Sequence, residues 1–220
     1  MSRFVVLTVC TGNVHRSPLA AALLRQWAAW YLPPDLASAI IVTSAGTGPP
    51  VGAPMGQTAA VICRALGADD TTHRARQLDD DTIATADLVL AASRSHRDEI
   101  LSRVPSAMRR TFTFREAARA ARAHTGARPA LGSVNDLRHT VGLLAEHRAP
   151  PTHADDDDVI DPHKQGAEAY LRMAEEEVPA LCELAEVLFG MPHADLEEYR
   201  RVSSDAAFLG IAGPSLEGQR

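Results

Sequence analysis

Two hydrophobic periods alternate along this chain. Phe4-Val5-Val6-Leu7-Thr8-Val9 is a short apolar run that reads as a buried strand. From about Ser17 the period becomes helical. Leu19, Leu23, Trp27 and Tyr31 fall on one stripe, Pro18 sits in the first turn, and Pro33-Pro34 stops the helix. Ala39-Ile40-Ile41-Val42 reads as a second strand that runs out at Ser44-Ala45-Gly46-Thr47. After a Gly/Pro-rich loop to Pro54, a helix is predicted over about 56–66, closed by Gly67. Ala86 to Ala92 reads as a third strand around Leu88-Val89-Leu90, Arg94 to Arg103 as a helix, and Thr111-Phe112-Thr113-Phe114 as a short fourth strand.

Further on, Arg115 to His124 and Val134 to His147 read as helices separated by Gly126 to Gly132. The tract from Ala149 to Asp158, proline-rich and then acidic, reads as loop. A long helix is predicted from about Gly166 with Tyr170, Leu171, Ala174 and Val178 on one face. Pro179 is expected to kink it or to begin a new helix. Strands alternating with helices predict an α/β fold: a three-layer sandwich with a central, mainly parallel four-stranded sheet flanked by helices. In such sheets ligands bind beyond the carboxyl ends of the strands. The last 30 residues, 191–220, have weak periodicity and are expected to form a partly flexible extension.

Composition narrows the class. At 220 residues, 45% hydrophobic and 23% charged, the chain can bury a proper core. A net charge of −6 gives no electrostatic reason to expect nucleic acid or an anionic membrane as partner. No apolar stretch approaches the ~20 residues of a spanning helix, and no secretory leader is recognisable. Three cysteines, sparse and odd in number, point to a reducing cytoplasm. The histidines show no zinc-like spacing and no Cys-x-x-Cys occurs, so no metal or cofactor is expected.

The chemistry concentrates at Val9-Cys10-Thr11-Gly12-Asn13-Val14-His15-Arg16-Ser17-Pro18. A cysteine and an arginine stand six positions apart on a loop that leads from a strand into a helix. The first N–H groups of a helix have no intrahelical partner, and its dipole favours negative charge there. A thiolate placed at such an end is stabilised, and so is a bound anion. Gly12 and Asn13 tolerate the positive φ that an inward-folded loop needs. Cys63 and Cys182 lie on apolar helical faces and read as core.

This stretch resembles the phosphate loop of the low-molecular-weight protein tyrosine phosphatases. The likeness continues through Ser44-Ala45-Gly46-Thr47, through His73 to Leu78 with Ala86 to Leu90, and through Asp158-Val159-Ile160-Asp161-Pro162. It covers residues 1–190, with an insertion at about 105–155. The resemblance implies a phosphate-monoester hydrolase that works through a phosphocysteine, with Cys10 as nucleophile and Arg16 clamping the phosphoryl oxygens. It implies that the N–H groups of residues 11–16 (Thr11 to Arg16) hold the charge and that Ser17 donates to the sulfur. Asp161 is implied as general acid, ahead of Asp158. Asn13, Ser44 and His73 are implied as loop supports. A phosphotyrosine protein is the expected substrate, a small phosphorylated metabolite the alternative, and inorganic phosphate the product. Two rivals remain, an arsenate reductase-like enzyme and a non-catalytic phosphate-binding protein. The first lacks its relay cysteines in Ala91-Ala92-Ser93-Arg94-Ser95, and the second would not need Asp161. The chain also departs from the family. His15 stands where a second cysteine is common, which removes a disulfide partner for Cys10. His163 replaces an aromatic residue, and Gly48-Pro49-Pro50-Val51-Gly52 replaces an apolar wall.

Overall fold

The computed structural model describes residues 2–124 and 131–211. Four parallel strands form one sheet in the order β2-β1-β3-β4: β1 Phe4–Cys10, β2 Ile40–Gly46, β3 Leu88–Ala91 and β4 Thr111–Thr113. Alternation along β1 divides the molecule into layers. Phe4, Val6 and Cys10 face the larger core, while Val5, Leu7 and Val9 face a smaller one with Ile83, Val89, Ile100 and Ala107.

The larger core is covered by α1 (Arg16–Tyr31), α3 (Gln57–Ala65), α6 (Phe114–Ala123), α7 (Val134–Glu146) and α8 (Ala167–Phe189), with the short α2 (Pro34–Ala37) at its edge. On the smaller side lie α4 (Asp80–Thr85) and α5 (Arg94–Arg103). The expected α/β sandwich with a four-stranded parallel sheet is therefore observed. Residues 105–155 are integral to it, because they supply β4, α6 and α7.

α8 is a single helix with Pro179 inside it, so of the two expectations a new helix beginning there is not met. The hydrogen bond that Pro179 forfeits would go to the carbonyl of Glu175, an exposed residue, while Val178, Leu181 and Cys182 beside it are fully buried. Packing outweighs the missing bond. In the described part of the C-terminal extension, α9 (His193–Val202) and the turn after it insert Leu196, Val202, Leu209 and Ile211 into the larger core. Residues 212–220, and most of the 126–132 linker, lie outside the described residues. No helix among the described residues is long and apolar enough to cross a membrane.

Candidate active site

β1 ends at Cys10 and α1 begins at Arg16, so residues 11–15 turn the chain beyond the carboxyl end of the sheet. α1 has no side-chain cap and no acidic residue in its first turn. Its leading N–H groups are left for an anion. The turn is made at Asn13, whose φ is +50°, a left-handed conformation that asparagine tolerates better than most residues. Three bonds hold it there. Nδ2 donates to Ser17 Oγ at 2.9 Å, Oδ1 accepts from the Arg76 N–H at 3.0 Å, and the Asn13 carbonyl accepts from His73 Nε2 at 2.8 Å. That last bond gives His73 a proton on Nε2, and burial holds its pKa below the usual histidine range. Of the two residues that tolerate positive φ, Asn13 uses it and Gly12 does not.

Ser44, expected among the supports, meets them through its backbone. Its carbonyl accepts from Arg76 Nε at 2.7 Å, and Arg76 in turn holds Asn13. Gly46 is required by proximity: a Cβ there would stand 2.4 Å from the Thr11 carbonyl and 3.0 Å from Asn13 Cβ. Cys10 is 2% exposed at the floor of the loop. Its Sγ lies 2.9 Å from Ser17 Oγ and accepts from the Asn13 N–H at 3.3 Å.

Arg16 and Asp161 meet above this floor. Arg16 Nη2 lies 2.7 Å from Asp161 Oδ2, and Nη1 donates to the Val159 carbonyl at 3.1 Å. The Arg16 side chain is 5% exposed and that of Asp161 44%, so the carboxylate stands at the mouth. Asp158 is disposed otherwise. Arg94 takes both of its oxygens through Nε and Nη2, and the Arg94 N–H donates to Oδ1 at 2.7 Å. Burial pushes the Asp158 pKa up, but these bonds outweigh it and hold the carboxyl below its ordinary range. Its carboxylate is thus committed to Arg94.

A cavity of about 400 Å³ opens over Cys10 and Arg16, walled by Val14, His15, Pro49, Pro50 and His163. Asn13 and Ser17 lie fully buried beneath it. His15 is half-buried. Its ring packs edge-on to Tyr170 at 5.4 Å and tilted to His163 at 5.9 Å. A Cβ on Gly56 would come within 2.4 Å of that ring. Burial lowers the His15 pKa; Asp161 opposes this, and His163 and Arg16 reinforce it. A larger apolar cavity, about 560 Å³ beside Trp30, Tyr199 and Phe208 at the far end of α1, contains none of these groups.

Sequence reasoning missed Arg76, Arg94, His96 and Tyr170. His96 is 6% exposed; its Nε2 lies 2.9 Å from Thr11 Oγ1 and its Nδ1 2.6 Å from Ser93 Oγ. Burial, helped by the charge of Arg16, pushes its pKa down to about 4, so the imidazole is neutral. The one available signal was Ser93 three residues ahead, an N-cap that accepts from the His96 N–H.

A cysteine at the foot of a helix N-terminus, with an arginine closing the same loop and a carboxylate facing it, defines a cysteine-dependent phosphatase. Comparison with known proteins agrees. The sequence model of the low molecular weight phosphotyrosine protein phosphatases matches residues 5–149, and the chain belongs to that family. It is 38% identical over 111 residues to a probable low molecular weight protein-tyrosine-phosphatase, EpsP, of Ralstonia nicotianae, covering 50% of this chain and 70% of that one. It is 37% identical over 111 residues to a protein-arginine-phosphatase of Geobacillus stearothermophilus, covering 50% and 69%. Among solved structures, a low molecular weight protein tyrosine phosphatase from T. tengcongensis superposes with a TM-score of 0.58 at 27% identity, covering 83% and 98%.

Proposed function

We propose that this phosphatase hydrolyses phosphotyrosine in proteins. One observation carries the reading: nucleophile, clamp and acid converge on a single cavity whose walls are two prolines and two imidazoles. Flat apolar faces suit a phenyl ring. Phosphoarginine, the group named for one relative, would bring a second guanidinium, and among the described residues the one carboxylate lining this cavity is Asp161, which the reaction below needs in its protonated, uncharged form.

In the proposed reaction the incoming phosphate displaces Asp161 from Arg16. Nη1 stays on the Val159 carbonyl, while Nη2 and the buried, unpartnered Nε are free to clamp two phosphoryl oxygens. The displaced Asp161 carboxylate takes up the proton that the Cys10 thiol gives up; Cys10 Sγ, as thiolate, then bonds to phosphorus as the P–O bond breaks, and Asp161 passes that proton to the leaving oxygen. The released Asp161 carboxylate then takes a proton from water, whose oxygen bonds to phosphorus as the S–P bond breaks. Ser17 donates to the sulfur and the loop N–H groups hold the charge. The free thiols of Cys10, Cys63 and Cys182 support a reducing, cytoplasmic setting.

The test is hydrolysis of an aryl phosphate by wild type, Cys10→Ser and Asp161→Asn. Cys10→Ser should abolish turnover, and Asp161→Asn should lower it by about 10²–10³-fold. Turnover that survives Cys10→Ser would overturn the mechanism. Competition among a phosphotyrosine peptide, a phosphoarginine peptide and sugar phosphates then tests the substrate, and preference for either of the latter two would overturn it.

A further inference from the structure

The two catalytic loops are distant in sequence, yet one short post touches both. α5 starts at Arg94, straight after β3, and its first turn carries Ser93, Arg94 and His96. His96 reaches the nucleophile loop through the Thr11 hydroxyl at 2.9 Å, with its other nitrogen held by Ser93 at 2.6 Å. Arg94 reaches the acid loop, gripping Asp158 through its backbone N–H at 2.7 Å and through its guanidinium, and Asp155 at 2.7 Å. Just ahead, the Ala92 carbonyl accepts from the Val159 N–H at 2.9 Å. Asp158 stands three residues from Asp161, and Thr11 adjoins Cys10.

We propose that the first turn of α5 is the spacer that sets the distance between nucleophile and acid, with His96 the positioning residue for the Cys10 loop and Arg94 that for Asp161. Neither side chain lines the cavity over Cys10, so each acts through another residue. The inference rests on Asp161 being the acid and Cys10 the nucleophile. His96 is suited to its task because burial keeps it neutral near pH 7, so a single tautomer serves both hydroxyls. Arg94 is suited because a planar fork fixes both the distance and the angle of a carboxylate.

Two residues two positions apart should therefore fail in opposite ways. Arg94→Met should misplace the acid alone. Its kcat/KM should fall at least 10-fold on aryl phosphates with poor leaving groups and stay within 2-fold of wild type on one that leaves without a proton. Inhibition by inorganic phosphate should be unchanged. Arg94→Lys should recover part of the loss, and Asp158→Asn combined with Arg94→Met should add little to either alone. His96→Asn and the milder Thr11→Val should instead weaken phosphate inhibition at least 5-fold, with no change in leaving-group dependence. A thermal melt checks that each variant is folded. If Arg94→Met slows good and poor leaving groups equally, or neither, the acid half fails; if Thr11→Val leaves phosphate inhibition intact, the nucleophile half fails. Absence of turnover in the wild type would instead sink the underlying reading.

Discussion

Residues 10–17 and 155–161 meet at Arg16 but keep their shapes by different means. In the first loop Cys10, Asn13 and Ser17 bond to one another over spans of three to seven residues, helped by the strap from His73 to Arg76. The acid loop is gripped largely from outside. Arg94 holds Asp155 and Asp158, Arg115 donates to the Asp158 carbonyl, Arg119 pairs with Asp157, and Glu176 accepts from the Ile160 N–H. The first loop is thus bonded chiefly to itself, and the second to arginines on other elements. In the proposed reaction the second arrangement lets Asp161 leave Arg16 when phosphate arrives. One loop is a mould and the other is a moored arm.

The contrast can be broken at several points. Arg16→Lys attacks the meeting place and should cost most, about 10³-fold in kcat/KM on an aryl phosphate, because an ammonium offers no planar fork. A loss under 10-fold would show that charge alone suffices. Next comes the moored arm. Arg119→Met strands Asp157, whose side chain is 3% exposed, and should lower the free energy of urea unfolding by about 3 kcal/mol. A change below about 1 kcal/mol would make this an ordinary surface pair. Asn13→Ala removes two side-chain bonds and puts a less tolerant residue at φ +50°. It should cost about 2 kcal/mol of stability and about 10-fold in turnover, read from the same unfolding curves and from kinetics.

The smallest effect concerns pH. Folded His96 takes up its proton near pH 4, and an unfolded histidine near 6.5. Above pH 6.5 neither state holds the proton and the full stability is present. As pH falls toward 4 the unfolded chain gains a proton that the folded one refuses, so stability drops, by about 1 kcal/mol between pH 7 and 5.5 for this group. His15 and His73, also lowered, act in the same direction. Melting temperatures over that range should fall less steeply for His96→Asn than for wild type; parallel slopes would refute the assignment.

The same contrast explains what could be read in advance. Cys10 to Ser17 is contiguous and its bonds are short-range, so its residues were all legible. Asp161 was ranked ahead of Asp158 because of Pro162; what the sequence did not disclose is that Arg94 holds Asp158 while Asp161 faces Arg16. Arg94 and His96 were invisible as site residues, because nothing local ties position 94 to 158 or 96 to 11. The four strands and the long helices were legible from their periods. The six-residue α4 was not, although Asp79 caps it by accepting from the Thr82 N–H. Pro179 left a kink or a new helix open, and the burial of Val178, Leu181 and Cys182 beside it goes with one continuous helix.

The fit of His15 over Gly56 carries the cavity wall back to α3. A Cβ at 56 would stand 2.4 Å from the imidazole, so a side chain there would have to push the ring off its packing against Tyr170 and His163. A change just before α3, outside the loop itself, would thereby reshape the mouth over Cys10.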